Sequence, residues 1–352
     1  MSHTPGTGTR SGSFLGEVKD AVTPRATLLV LGVIALQLLF IASYVGALHD
    51  PKPKDVPFGV VAPAAVAERT LSTLERLPGS PLDPRAVAGA ADARKQIENR
   101  EIDGALVVAP SGRTDTLLVA SGGGTVLATT LESLVAQVER SEGRAVRTVD
   151  VAPASDRDFD GLSSFYLIVG WCVGGYLCAS ILAISTGARP ANPVRAAIRL
   201  IVMALVAIVG GLGGAVIVGP VLGALPGSVV DLWGLGALIT FAVGAATLAL
   251  QGVLGVVGIG LAILLVVIAG NPSAGGAFPL PMLPPFWREI GPWLPPGAGT
   301  WTARSIAYFK GNDTTVSLVV LWAWAVAGTV ITVLAAVLRG ARREPELPPQ
   351  TG

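Results

Sequence analysis

NPSAGGAFPLPMLPPFWREIGPWLPPGAGTWTARSIAYF, residues 271–309, decides how the rest of the chain is read. It lies between two long apolar runs and is itself mostly apolar. Proline nevertheless interrupts it repeatedly, and Trp287, Trp293 and Trp301 punctuate it. Proline stops helices, and tryptophan favours the membrane–water boundary. Such a stretch is neither a polar loop nor a clean transmembrane helix. It predicts short, broken helices that dip into one membrane face, where non-helical backbone is tolerated only under cover of protein or beside a water-filled cavity. One end of a substrate pathway is the natural place for it.

Working outward, the flanks set the class. The chain has 352 residues, 51% of them hydrophobic and only 14% charged, with a mean hydropathy of +0.63. Soluble domains carry about 25% charged residues, so the composition is that of an integral membrane protein. Upstream of the quoted stretch the chain stays apolar over 232–270, too long for one crossing of roughly 20 residues and long enough for two. The turn between them is expected at Gln251-Gly252. Further apolar runs at 26–48, 161–186, 200–222 and 316–338 bring the expected number of transmembrane helices to six. The run at 26–48 exceeds the roughly 7–15 residues of a signal-peptide core and reads as an uncleaved anchor.

Residues 49–160 form the one long hydrophilic region. A strand at 56–62 is followed by helical stretches at 64–77 and 84–100, separated by the turn PGSPLD. Runs at 104–110 and 115–121, joined by SGRT, predict a hairpin. A helical pattern at 125–143 and the strand-like AVRTVDVA complete a small two-layer α/β domain. The glycine triplet 122–124 precedes a helix as phosphate loops do, but no GK[ST] follows, so a flexible connection is expected.

Charge gives the orientation, because short flanks rich in Lys and Arg stay in the cytoplasm. Arg10, Lys19 and Arg25, then Arg189, Arg195 and Arg199, then Arg339, Arg342 and Arg343 all fall inside if six spans alternate from a cytoplasmic N-terminus. Both termini are then cytoplasmic, and 49–160, 223–231 and 271–315 lie outside. The quoted stretch becomes an outer gate, with Asn271, Pro272, Gly275, Gly276, Pro284, Trp287, Trp293, Pro295 and Trp301 as its backbone-breaking and anchoring residues. The resulting division is a tail at 1–25 with an amphipathic interfacial helix at 14–22, a first span at 26–48, and an extracytoplasmic α/β domain at 49–160. A five-helix membrane region at 161–340 and a cytoplasmic tail at 341–352 complete it.

The expected spans contain no Asp, Glu, Lys, Arg or His, the groups that proton- and ion-coupled transporters use. Gln37 and Gln251 are expected to make interhelical hydrogen bonds. Gly170-xxx-Gly174 and Gly210-xxx-Gly214 predict close helix approach within the bundle or at a dimer seam. Cys172 and Cys178 lie on different faces of one helix and read as small buried residues. With no HExxH, no nucleophile elbow and no phosphate loop, the chain is read as a non-enzyme that needs no cofactor and hydrolyses no ATP itself. A net charge of +1 offers no footprint for nucleic acid.

Three stretches carry a family resemblance: LLFIASYVGALHDPKPKDVPFGVVAP, ADARKQIENREIDGALVVAP, and the quoted 271–309 with its Asn-Pro/Gly-Gly opening and Leu-Pro-aromatic repeat. The chain resembles the membrane subunits of ABC type 2 exporters, in particular the YhgE/Pip (phage infection protein) branch. The resemblance implies a half-channel in a bacterial cell membrane that pairs with a second copy or a related permease, surrounded by membrane lipids and driven by a separate ATPase. It implies that the loop at 187–199, with Arg189, Pro190, Asn192, Pro193 and Arg195, meets that ATPase. An amphipathic or lipid-like cargo suits a pathway without charges. The alternative is a non-transporting surface protein whose outer domain binds a partner such as a phage or a cell-envelope component.

Overall fold

The computed structural model describes residues 23–341. The interfacial helix expected at 14–22 and the basic residues Arg10, Lys19, Arg342 and Arg343 lie outside the described residues. The first element, α1 (Pro24–Leu48), stands at the periphery. Its apolar side chains, among them Leu28, Leu31, Ile34 and Leu38, are exposed, while Ser43 and Ala47 are buried where it meets residues 264–270. Gln37, expected to make an interhelical hydrogen bond, is exposed.

Alternating apolar residues then build a five-stranded sheet. Its elements are β1 (Val56–Val61), α2 (Ala64–Glu75), β2 (Leu82–Ala86), α3 (Ala90–Glu98), β3 (Gly104–Val107), β4 (Thr114–Val119), α4 (Thr125–Ser141) and β5 (Ala145–Asp150). The strand order is β2-β1-β3-β4-β5, parallel throughout except for the expected β3–β4 hairpin, in which Gly104 pairs with Val119. Phe58, Val60, Leu106, Leu117 and Val119 bury one face beneath α2 and α4. Ala105 and Leu118 bury the other beneath Ala93 and Ile97 of α3. The unit is therefore three-layered, not two-layered. The helix expected at 84–100 is instead strand β2 plus the shorter α3. Pro84 sits in an edge strand, the place in a sheet that tolerates a missing N–H.

Beyond the sheet unit come α5 (Ser163–Thr186), α6 (Pro193–Val216), α7 (Val229–Leu254) and α8 (Val257–Ile263), the last continuing as a π-helix to Gly270. Five helices of the described residues are long and apolar enough to cross a membrane, and Val257–Gly270 is a shorter apolar helix. α7 is the centre of the bundle, packed against α5, α6 and α11 (Thr315–Ala341). The turn between α7 and α8 falls at Gly255 (φ 69°), three residues beyond the expected position, where glycine accepts the left-handed backbone that ends the helix.

The helices also run longer than the apolar runs. Arg195 and Arg199 lie in the first turns of α6, and Asp231 lies in the first turn of α7. The expectation that spans carry no charge therefore holds only away from their ends. Close approach occurs one register from the expected glycines. A Cβ on Gly175 would lie 2.6 Å from the Thr240 carbonyl, and one on Gly211 2.6 Å from the Ala237 nitrogen, whereas Gly170, Gly174 and Gly210 meet nothing within 4 Å. Gly214 does face a neighbour: it receives the Trp171 indole, whose Nε1 donates to Gly210 O. Gln251 is fully buried, yet its amide has no hydrogen-bond partner among the described residues, so the expected interhelical bond is not seen there.

Candidate functional site

The stretch 271–309 folds as a chain of short pieces. A 3-10 turn at Leu280–Met282 leads to α9 (Pro285–Ile290), a second 3-10 turn at Gly291–Trp293, and α10 (Pro295–Tyr308). Each helix begins on a proline, whose fixed φ and missing N–H suit the first helical position. Pro285 and Pro295 thus serve as helix starts, with Pro284 at the N-cap of α9. Nearly all of α10 is buried from Pro295 to Ser305.

Arg304 organises this segment. Only 4% exposed, it donates to Gly275 O (2.7 Å), Gly276 O (2.8 Å) and Gly161 O (3.2 Å). Those carbonyls are reachable because Gly275 adopts φ 69° and Gly276 lies flat against the Phe165 ring, where a Cβ would clash. Asn271 and Pro272 are buried alongside. Tyr308 donates to Asp158 Oδ2 (2.5 Å), while Asp158 Oδ1 accepts from Ser163 N (2.7 Å) at the start of α5.

The sheet unit docks directly on this segment. Arg100, with φ 62° just beyond α3, stacks its guanidinium 3.3 Å from the centre of the Trp301 ring and 4.9 Å from that of Phe309. It also donates to Trp301 O (2.9 Å) and Ser305 Oγ (2.6 Å). Trp301 Nε1 donates to Asp313 O, and Asn312 donates to Glu98 O. Arg288 reaches Lys54 O, and Met282 enters the core of the sheet unit. Trp293 is 64% exposed and Trp287 partly so; the Trp293 carbonyl accepts from Trp324. The glycine triplet belongs to this seam and is no flexible link. A Cβ on Gly122 would lie 2.5 Å from the Tyr308 ring, and one on Gly124 would strike Pro279.

Between the sheet unit and the broken segment lies a cavity of about 340 Å³. Arg100, Asp103 and Arg304 line it together with Leu280, Pro281 and Trp301. Burial, and next the neighbouring Arg304, pull the Arg100 guanidinium down to about 9. Burial pushes the Asp103 carboxyl up to about 6, with Arg100 opposing. Of the residues expected to form a gate, Gly275 and Trp301 line this cavity, whereas Trp287 and Trp293 do not. Arg100 and Asp103 had no signal in the sequence, because only the fold brings the end of α3 onto α10.

A second opening, about 370 Å³, separates α2 from α4. Arg144 pairs there with Asp115 (2.5 Å) and Glu139 (3.6 Å). Burial works against the Asp115 charge, but hydrogen bonds from Arg144, the Ala109 amide and Glu139 together outweigh it and hold the carboxyl low. Burial and the Asp115 carboxylate push Glu139 up to about 7.

The opposite end of the bundle holds the residues expected to meet an ATPase. Pro193 starts α6, and the Asn192 side chain caps it by accepting from Arg195 N (2.9 Å). Arg189 donates to Val253 O, Pro190 is buried, and Arg195 is exposed. Arg199 is buried and donates to the carbonyls of Thr186, Gly187 and Ala188, closing the end of α5. Arg339 donates to Gly252 O at the same end.

No family model, curated protein or solved structure matches the chain.

Proposed function

We propose that the chain is the membrane-spanning permease subunit of an ABC-type exporter, forming an outward pathway for an amphipathic or lipid-like compound and driven by a separate ATPase. The observation that carries this reading is the cavity between the sheet unit and the broken segment 271–309. It combines an apolar wall with a few convergent polar groups, the usual make-up of a small-molecule site. It also lies at the far end of the bundle from the arginine-rich loop. Under the positive-inside rule that loop is cytoplasmic and the sheet unit is outside. The short helix Val257–Gly270 then counts as a sixth crossing that leaves 271–309 within the outer leaflet.

The exposed apolar flanks of α1, α5 and α6 suit lipid or a second permease, identical or related. The surface-protein alternative draws on a different observation, the charged opening between α2 and α4.

The test is association and drive. Arg195 is the residue to reverse, because it is exposed, whereas deleting the loop would remove the buried Arg199 cap. Cross-linking in native membranes is expected to capture a nucleotide-binding subunit, and Arg195→Glu to weaken that capture while the chain stays folded. No ATPase captured by either protein would end the exporter reading.

A further inference from the structure

Two guanidinium groups share the cavity above α10, and neither Arg100 nor Arg304 forms an ion pair among the described residues. Their partners are backbone carbonyls, one hydroxyl and aromatic faces. Arg304 Nε is buried with no hydrogen-bond partner among the described residues. Burying an ionised group costs several kcal/mol even after the surroundings relax, and a second like charge nearby adds to that cost. Carbonyl dipoles return part of it. The remainder is what an arriving anion would relieve.

The acidic groups lining the same cavity offset this only in part: Asp103 and Asp313 both act on the Arg100 charge, and neither forms an ion pair with it. Glu101 and Asp313 are exposed at its rim, and Asp103 is the one set deeper. Asp158, the acid nearest Arg304 from the α5 side, is already engaged by Tyr308 and the α5 N-terminus. The apolar Pro279, Leu280, Pro281, Pro292 and Val316 line the same cavity. A neutral cargo would cover these apolar residues and leave the guanidinium charges only partly offset; a small inorganic anion would do the reverse.

We propose that this cavity binds an amphiphile bearing one anionic group, a carboxylate or a phosphate, with the anion at Arg100 and Arg304 and the hydrocarbon along Leu280 and Pro292. As an account of cargo, this rests on the permease reading and replaces its neutral pathway with a charged entry. As an account of binding, it requires neither an ATPase nor movement across the membrane.

The probe is dodecyl phosphate, titrated calorimetrically into the full chain in a neutral maltoside detergent, with dodecanol and inorganic phosphate as separate arms. Saturable binding of dodecyl phosphate is expected, with dodecanol and inorganic phosphate each weaker by about tenfold or more. Arg100→Gln should weaken dodecyl phosphate by about tenfold. Asp103→Asn should tighten it at about pH 8, where the wild-type carboxyl, at about 6, is ionised. That opposite response separates a charge effect from general loosening of the seam, and it needs no Arg304 variant, which would leave three carbonyls unbonded. Equal binding of dodecanol, equal binding of inorganic phosphate, or an unchanged affinity in Arg100→Gln would each overturn the proposal. The ATPase cross-linking result stands or falls separately from all of these.

Discussion

At the scale of single residues, the chain places charge where water is scarce and uses backbone to hold it. Arg304 relies on three carbonyls, Arg199 on three more, and Arg100 on a carbonyl, a hydroxyl and a ring. Glu139 differs because its neighbour is another acid. Its pKa in the fold, about 7, lies above the ordinary 4.5, with burial the main cause and Asp115 the next. The protonated form is therefore the one the fold favours. Its stabilising contribution is full below about 4.5 and is lost as pH rises through about 7. The sheet unit is expected to resist urea better at pH 5.5 than at pH 8, by on the order of 1 kcal/mol for each unit of the shift that is realised. Glu139→Gln should keep the low-pH resistance at both values, read by limited proteolysis within 56–152. A variant that loses stability with pH as the wild type does would remove Glu139 as the cause.

At the scale of elements, apolar periodicity was legible and neighbours were not. The hairpin and α4 follow directly from their side-chain patterns. β2 was hidden because Leu82-Asp83-Pro84-Arg85-Ala86 has only one deeply buried side chain, Leu82, and a proline that reads as a turn. The glycine positions illustrate the same limit. Sequence spacing marks glycine-rich helices, but which glycine meets the partner depends on helix rotation, and rotation is set by everything else in contact. Gly175 and Gly211 turned out to be the contact points on α7, with Gly170 and Gly210 facing away. Gly175→Val and Gly211→Val should each destabilise the bundle by about 1–3 kcal/mol through overpacking against backbone. Gly170→Val and Gly210→Val should leave the single chain unaffected. Thermal aggregation in detergent, followed by fluorescence-detected size exclusion, measures all four. If the two outward variants fall as far as the inward two, those glycines face a partner copy, and the isolated chain is not the folding unit.

At the scale of the whole molecule, two ends of unlike character face away from each other. Arg189, Arg195, Arg199 and Arg339 gather where α5, α7 and α11 end and α6 begins. The sheet unit, the 271–309 segment and the 311–314 turn meet at the other, with Asn312 bonded to Glu98 O across the seam. The path from Gly255 to Asn271 must connect these ends, yet Val257–Gly270 is only 14 residues, about 21 Å at 1.5 Å per residue against a hydrocarbon core of about 30 Å. Under the six-span reading this shortfall fits a chain that breaks into turns next: residues 271–276 are buried in the protein, and Arg304 donates to the Gly275 and Gly276 carbonyls. It also leads, by a route independent of charge, to the same topological prediction that the arginine pattern gave. Glu75 and Asp313, both exposed, must lie on one side of the membrane, and Arg195, exposed on the far end, on the other. Single cysteines at these three positions, in a background where Cys172 is buried and Cys178 half-buried, are expected to react with a membrane-impermeant maleimide as two classes. Glu75→Cys and Asp313→Cys should label in intact cells, and Arg195→Cys only after permeabilisation. Labelling of Asp313→Cys together with Arg195→Cys, apart from Glu75→Cys, would mean that 257–270 turns back without crossing. The cavity beneath the sheet unit would then have lost its place at the end of a pathway.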